Sequence, residues 1–335
     1  MPPASHALAL QTRLRDQLLD RRTRLRSNVR RERESADLLR LLQEVDAALS
    51  RLDGDNYGVC RACHGNVEPS DLMANPMATY CLCELSPERQ RALERDLDLA
   101  WRVQAALLPP LGLAVPGWES YYRYVPQGPV SGDYCDLVTT GDGSFYFMVG
   151  DVSGKGVAAS LLMAHLNAAL RAFARTGLPP QAVLEKANSL LAESTLTSHY
   201  ATLVCGRATA SGEVEIANGG HCPPVLVRSD GSVQALETGG LPLGLAITGD
   251  APRYAAEQLE IKKGDSLVLY TDGLTEAANA NDEEYSSGRL MRVLACCPDR
   301  SPRNLVTSCL EDLTSFVGRN PLRDDLTILA LSRIG

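Results

Sequence analysis

No run in this chain reads as apolar and long enough to span a bilayer, although 44% of its 335 residues are apolar, so an integral membrane protein is not expected. Residues 1–17, MPPASHALALQTRLRDQ, lack the basic-then-apolar order of a secretory leader, and the expected location is cytoplasmic. An excess of positive charge is also missing. The formal net charge is −8, which excludes a surface built globally to coat nucleic acid. Only residues 13–33 are rich in arginine; they read as a solvated helix face, with a contact to acidic protein or nucleic acid left open. No internal repeat or low-complexity tract is present. Glycine and proline are absent from residues 5–52, which excludes a turn-rich fold there and favours continuous helix.

Helical spacing does run through that segment, at Leu10, Leu14, Leu18, Leu25 and Val29, then at Leu38, Leu42, Val45, Leu49 and Leu52. The polar run RRERESAD between the two sets leaves one long helix or, in preference, a hairpin turning near residues 30–36. Composition changes over residues 53–87, where Gly, Asn, Pro and Cys dominate and little can be buried. Such a segment needs a staple to be ordered. Cys60 and Cys63 form one close pair and Cys81 and Cys83 a second, a ribbon pattern that suits tetrahedral Zn²⁺ better than disulfides in a reducing compartment. Helix resumes with Ser86 as N-cap, Pro87 at the first helical position and Glu88 in the first turn. Leu93, Leu97, Ala100, Trp101, Gln104 and Leu108 are expected along one face, and Pro109 and Pro110 stop the helix.

From Trp118 onward, period-two alternation predicts nine strands: ESYYRYV, DYCDLVTT, SFYFMVGDV, YATLVCGRAT, EVEIANG, PPVLVRS, SVQALE, SLVLYTD and LTILALS. Two adjacent helices interrupt them, SLLMAHLNAALRAFAR and PPQAVLEKANSLLAES, and a third helical region covers residues 286–318. Strands joined mostly by hairpins imply antiparallel sheets with helices packed on the outer faces.

Four aspartates stand at the ends of apolar, strand-like runs: Asp133 in VSGDYCDL, Asp151 in VGDVSGKG, Asp272 in YTDGLTE and Asp324 in RDDLTIL. A single Asp-Gly pair is usually a turn. Four such corners suggest carboxylates converging on hard divalent ions. Two unit charges ~4 Å apart repel by about 4 kcal/mol at an effective dielectric of 20, so a fold that gathers four needs cations between them. Gly132, Gly150, Gly154 and Gly273 beside them allow close approach of backbone and substrate.

These blocks, with YATLV, ANGGHCPP and GGLPLGL in the same order, resemble the bacterial SpoIIE/RsbU branch of the metal-dependent type 2C serine/threonine protein phosphatases. The resemblance covers about residues 115–333. It implies an α+β fold, an αββα sandwich of two antiparallel sheets flanked by helices, with two Mn²⁺ or Mg²⁺ ions at one edge. Asp151 is then expected to bridge the metals, with the Val152 carbonyl as a further ligand. Asp272 and Asp324 complete the set, and Asp133 acts directly or through water; Asp151 and Asp272 are the expected catalytic pair. Asp325, next to Asp324, is not the expected ligand, and Asp136 is expected to stand behind the ligands or to be structural. The implied reaction is direct hydrolysis of phosphoserine or phosphothreonine by a hydroxide held between the metals. The implied substrate is a phosphorylated anti-sigma-factor antagonist in a partner-switching circuit. Ser153 stands where eukaryotic members carry a histidine as candidate general acid. His221 is expected to be structural, and Lys155 is left between phosphate contact and solvation.

The run from Leu41 to Cys81, around the two cysteine pairs, resembles the zinc finger of the DnaK-suppressor (DksA/TraR) type. That likeness implies one Zn²⁺ on Cys60, Cys63, Cys81 and Cys83, although the closing pair is CxC where the family has CxxC. RNA polymerase binding, known for that family, is not favoured, because the N-terminal hairpin is short and has no acidic tip. The expected organisation is a helical segment over 1–56, a finger over 57–86, a linker helix over 87–110 and a phosphatase domain over 111–335. A homodimer through the N-terminal and linker helices is expected.

Overall fold

The computed structural model describes residues 12–23, 36–54, 57–61, 65–79, 81, 87–110, 115–194, 199–237, 239–245 and 254–335. The chain divides into two compact units, Met1–Glu94 and Arg95–Gly335.

In the first unit, helix α1 covers residues 12–23 and α2 covers Ala36–Asp53. Leu18 packs with Val45, Ala48 and Leu49. Arg15 pairs with Asp53, and Arg22 lies 3.7 Å from Asp46. Both pairings require the helices to run antiparallel. The reversal itself, where the sequence places a turn, lies outside the described residues. A short bridge between Val59 and Asn66 and helix α3 (Pro69–Ala74) follow, and Leu14, Cys60, Val67 and Leu72 form a small second core.

The second unit is a sandwich. Helix α4 (Pro87–Leu107) leads into it. The strands are β1 (Trp118–Val125), β2 (Asp133–Thr139), β3 (Phe145–Val152), β4 (Ala201–Ala208), β5 (Glu213–Gly219), β6 (Val225–Val227), β7 (Val233–Ala235), β8 (Ala256–Glu260), β9 (Ser266–Tyr270) and β10 (Leu326–Arg333). One sheet has the order β1-β10-β9-β6-β7 and the other β2-β3-β4-β5-β8, with antiparallel pairing throughout. The helices are α5 (Val157–Arg175), α6 (Pro180–Ser194), α7 (Asp272–Thr275), α8 (Ser287–Cys296) and α9 (Pro302–Val317).

Period-two alternation sorts the core into layers. On β3, Phe145, Phe147 and Val149 face the other sheet and meet Leu267, Leu269, Leu329 and Leu331. Tyr146 and Met148, one residue out of phase, pack under α5 and α6 with Met163, Leu170 and Leu184. On the opposite side, Val268, Ile328 and Ala330 pack against Leu290, Leu305 and Leu313 of α8 and α9. The expected αββα sandwich is therefore what forms.

Three details depart from expectation. Strand β8, AEQLE, is a half-exposed edge strand paired only with β5; its polar residues carry no alternation to detect. The third helical region splits into α8 and α9, because Pro302 opens a new helix and the Ser301 hydroxyl accepts from the Asn304 amide at 3.4 Å. Helix α5 is the one described helix that is long and apolar enough to cross a membrane by length and composition, against the expectation of none. Its apolar face is used inside the sandwich, where Ala159, Met163, Leu166, Leu170 and Ala174 are buried.

An ion pair fastens α5 to β2. Asp136 is fully buried and accepts from Arg171 Nε at 2.6 Å and a terminal guanidinium nitrogen at 2.9 Å. Arg171 also donates to the Leu107 carbonyl at the end of α4, at 3.1 Å. Removing one partner of a buried pair leaves an uncompensated charge. Arg171→Ala is expected to lower stability by about 3–5 kcal/mol, read as a matching fall in the urea midpoint. A shift within the scatter of surface substitutions contradicts this assignment.

Candidate active site

The carboxylates singled out in the sequence are brought together at one edge of the sandwich. Asp133 opens β2 and stands opposite Asp151, near the end of β3. Asp272 follows β9 as the first residue of α7, and Asp324 immediately precedes the β10 corner. Two threonines tie this edge across the sheets. Thr271 and Thr327 each donate a hydroxyl to Asp133 Oδ2, at 3.0 and 2.5 Å. Sequence reading missed both. Their only signal is a hydroxyl residue inside an otherwise apolar strand end.

The electrostatics mark an edge with too much negative charge. Burial, then the charges of Asp272, Asp324 and Asp325, push Asp151 up to about 7. Burial and the Asp151 charge raise Asp133 well above the carboxylate range, against the two threonine hydroxyls. Burial and Asp324 raise Asp272. The donor set is all oxygen, the chemistry that Mg²⁺ and Mn²⁺ take, and a divalent cation would relieve this repulsion. The side chains are near enough to feel one another's charge, yet among the described residues no three or more His, Cys, Asp or Glu close into a metal cage.

Glycine makes the edge possible. A Cβ on Gly132 would lie 2.8 Å from the Val152 carbonyl oxygen and 3.2 Å from Asp151 Oδ1; one on Gly273 would lie 1.9 Å from the Asp325 carbonyl oxygen. Asp325 is a brace, accepting from the Gln127 amide at 2.7 Å and the Gly132 amide at 2.9 Å. Val152 is buried, and its amide donates to the Gly132 carbonyl at 3.2 Å.

Three further side chains line or brace this edge. The Ser153 hydroxyl accepts from the Tyr200 amide at 2.9 Å, so it serves as a loop clamp. Lys155 Nζ lies 2.9 Å from Asp324 on the rim of a cleft of about 170 Å³ shared with Glu276 and Arg323. Gln104 is buried on α4 and makes two hydrogen bonds to Ser131, to its carbonyl at 2.6 Å and from its amide at 2.9 Å. Of the expected α4 stripe, Gln104 is buried while Trp101 is exposed.

His221 is buried, and burial pushes its imidazole down to about 4 from 6.5. Above 6.5 both folded and unfolded chains hold it neutral. As pH falls toward about 4 only the unfolded chain takes the proton, so stability is lost on acidification, by at most about 3 kcal/mol. Melting curves from pH 7.5 to 4.5 are expected to fall more steeply for wild type than for His221→Gln; parallel curves contradict the assignment.

Of the four cysteines expected to bind zinc, the structure describes Cys60 and Cys81. The Cys81 amide donates to Cys60 Sγ at 3.3 Å. Cys63 and Cys83 lie outside the described residues, and no zinc cage is assembled among the rest.

The profile of the family described as Stage II sporulation protein E (SpoIIE) matches residues 141–334. The chain belongs to the SpoIIE family. Among SpoIIE relatives, the phosphoserine phosphatase RsbU of Bacillus subtilis is 28% identical over 251 residues, covering 73% of this chain and 72% of RsbU. The solved RsbU and RsbW domains of Rv1364c from Mycobacterium tuberculosis share 31% identity with a TM-score of 0.57, over 68% of this chain and 62% of that one. The SiaA-PP2C domain of Pseudomonas aeruginosa, 22% identical, shares the fold with a TM-score of 0.64, over 73% of this chain and 98% of the domain. The sandwich is thus a SpoIIE-type PP2C phosphatase domain. The matches to RsbU and Rv1364c leave part of those proteins uncovered.

Proposed function

We propose that this chain is a metal-dependent protein phosphatase acting on phosphoserine or phosphothreonine, with a phosphorylated anti-sigma-factor antagonist of a partner-switching pathway as its substrate. One observation carries the reading: Asp133, Asp151, Asp272 and Asp324 share one edge of a SpoIIE-family sandwich, with Asp151 raised to about 7 by burial and then by its neighbours' charges. Similarity to a phosphoserine phosphatase supports the substrate chemistry.

In this reading Asp151, the Val152 carbonyl, Asp272, Asp324 and Asp133 hold two Mn²⁺ or Mg²⁺ ions. The bound ions supply acidified water and charge compensation for the phosphoryl oxygens. The chain's own groups do the rest. Thr271 and Thr327 orient Asp133, Asp325 fixes the Gly132 backbone, and Gly132 and Gly273 keep the approach open. Hydrolysis of p-nitrophenyl phosphate is expected to require Mn²⁺, to stop with EDTA and to return on adding Mn²⁺. Activity indifferent to EDTA contradicts the proposal.

Regulation is proposed to enter through α4. Its exposed Leu99 and Val103, one helical turn apart, suit pairing with a second copy. Gln104 then links that helix to Ser131, whose hydroxyl accepts from the Asp133 amide at 3.0 Å. Gln104→Leu strands the Ser131 amide and carbonyl, and is expected to raise the half-saturating Mn²⁺ concentration about 3–10-fold. An unchanged metal titration removes Gln104 from the coupling.

A further inference from the structure

One buried polar side chain beside the candidate site has no part in the reaction as proposed. The backbone of His221 is locked: the Asn218 side chain accepts from its amide at 2.8 Å and donates to its carbonyl at 3.0 Å. Gly220 ahead of it has φ +71, and a Cβ there would stand 2.7 Å from the Pro242 ring. The ring is therefore aimed by its surroundings. Nδ1 lies 2.8 Å from the Thr202 hydroxyl. Thr202 is the cross-strand partner of Asp151, and its hydroxyl oxygen lies 3.5 Å from the Asp151 carbonyl oxygen.

Nε2 is buried and closes no hydrogen bond of normal geometry. The strand that follows His221, β6, pairs antiparallel with β9, Val225 opposite Val268, which brings the His221 loop to the Tyr270 end of β9. Tyr270 ends β9, two residues before Asp272. In the tautomer in which Nδ1 accepts from Thr202, Nε2 carries the remaining proton and is a donor. His221 thus contacts the strand that pairs with Asp151 and sits beside the strand that delivers Asp272.

We propose that His221 is a positioning residue, a strut that sets the separation of Asp151 and Asp272, held to Thr202 on β4 and lying at the Tyr270 end of β9. It touches neither substrate nor the reacting atoms. The inference rests on the metal-dependent reading above. A buried histidine that only fills space would affect stability; a strut affects how tightly two carboxylates hold cations.

The test is calorimetric titration of Mn²⁺ into the full chain, with melting temperature measured without metal at pH 7.5. Partners that orient ligands typically contribute 10–100-fold in metal affinity. His221→Phe and Thr202→Val are each expected to weaken Mn²⁺ binding about tenfold. The double variant is expected to be no weaker than the worse single one, since both cut the same link. His221→Gln, which can accept from Thr202 and still donate, is expected to recover most of the affinity. If His221→Phe does not fold, Thr202→Val, which loses only a hydroxyl, carries the comparison. Mn²⁺ affinity within twofold of wild type in the folded variants overturns the strut. Wild type that binds no Mn²⁺, or binds it no better than Asp151→Asn, overturns the metal reading itself, so the two failures are distinguishable.

Discussion

Asp151→Asn is expected to lower Mn²⁺-dependent phosphatase activity by at least ~1,000-fold while the protein stays folded. Asparagine keeps the volume and one oxygen but removes the charge. Asp151 is where the negative potential of this edge concentrates, since Asp272, Asp324 and Asp325 all act on it. It stands opposite both Asp133 and Thr202 in the sheet register. Without that charge the remaining carboxylates no longer share a central partner for a divalent ion. The same change relieves like-charge repulsion, so in EDTA the variant is expected to melt at or above the wild-type temperature. Activity within tenfold of wild type, or a metal-free variant that melts well below wild type, contradicts this account.

Gly273→Ala is expected to have the second-largest effect, a loss of activity of at least ~100-fold, because it separates two ligand-bearing segments. A Cβ at this position would fall 1.9 Å from the Asp325 carbonyl oxygen, with the Asp324 carbonyl carbon also within contact range. That neighbour is backbone and cannot rotate away. The segment carrying Asp324 must move off the start of α7, which carries Asp272. The overpacking itself is expected to cost about 1–3 kcal/mol. Gly141→Ala provides the matched control, since a Cβ there would meet nothing within 4 Å. Equal activity of the two variants contradicts the close-approach argument.

The sandwich was legible because its strands are long, apolar and alternating: Phe145 to Val149 announces two buried faces in five residues. The four aspartates were legible because each stands at the end of such a run beside Gly, another Asp or a small residue. What stayed hidden depends on partners distant along the chain. Nothing in RDDLTIL tells that Asp325 braces Gln127 and Gly132 while Asp324 faces Lys155. Gln104 looked like one member of an apolar stripe, yet it is the α4 residue buried against Ser131. Strand β8 escaped because an edge strand with polar residues is held by its hydrogen bonds to β5, which leave no periodic mark. Helix α5 misled in the other direction. Its apolarity serves contacts on the sheet, and its Arg171 has a buried partner.

The central claim is that distant carboxylates meet around divalent cations. Anomalous diffraction from crystals soaked in Mn²⁺ tests it most directly. The account predicts two manganese peaks ~3.5–4 Å apart, with Asp151 between them and Asp272 and Asp324 alongside. Well-ordered crystals with no manganese peak among Asp133, Asp151, Asp272 and Asp324 would contradict it.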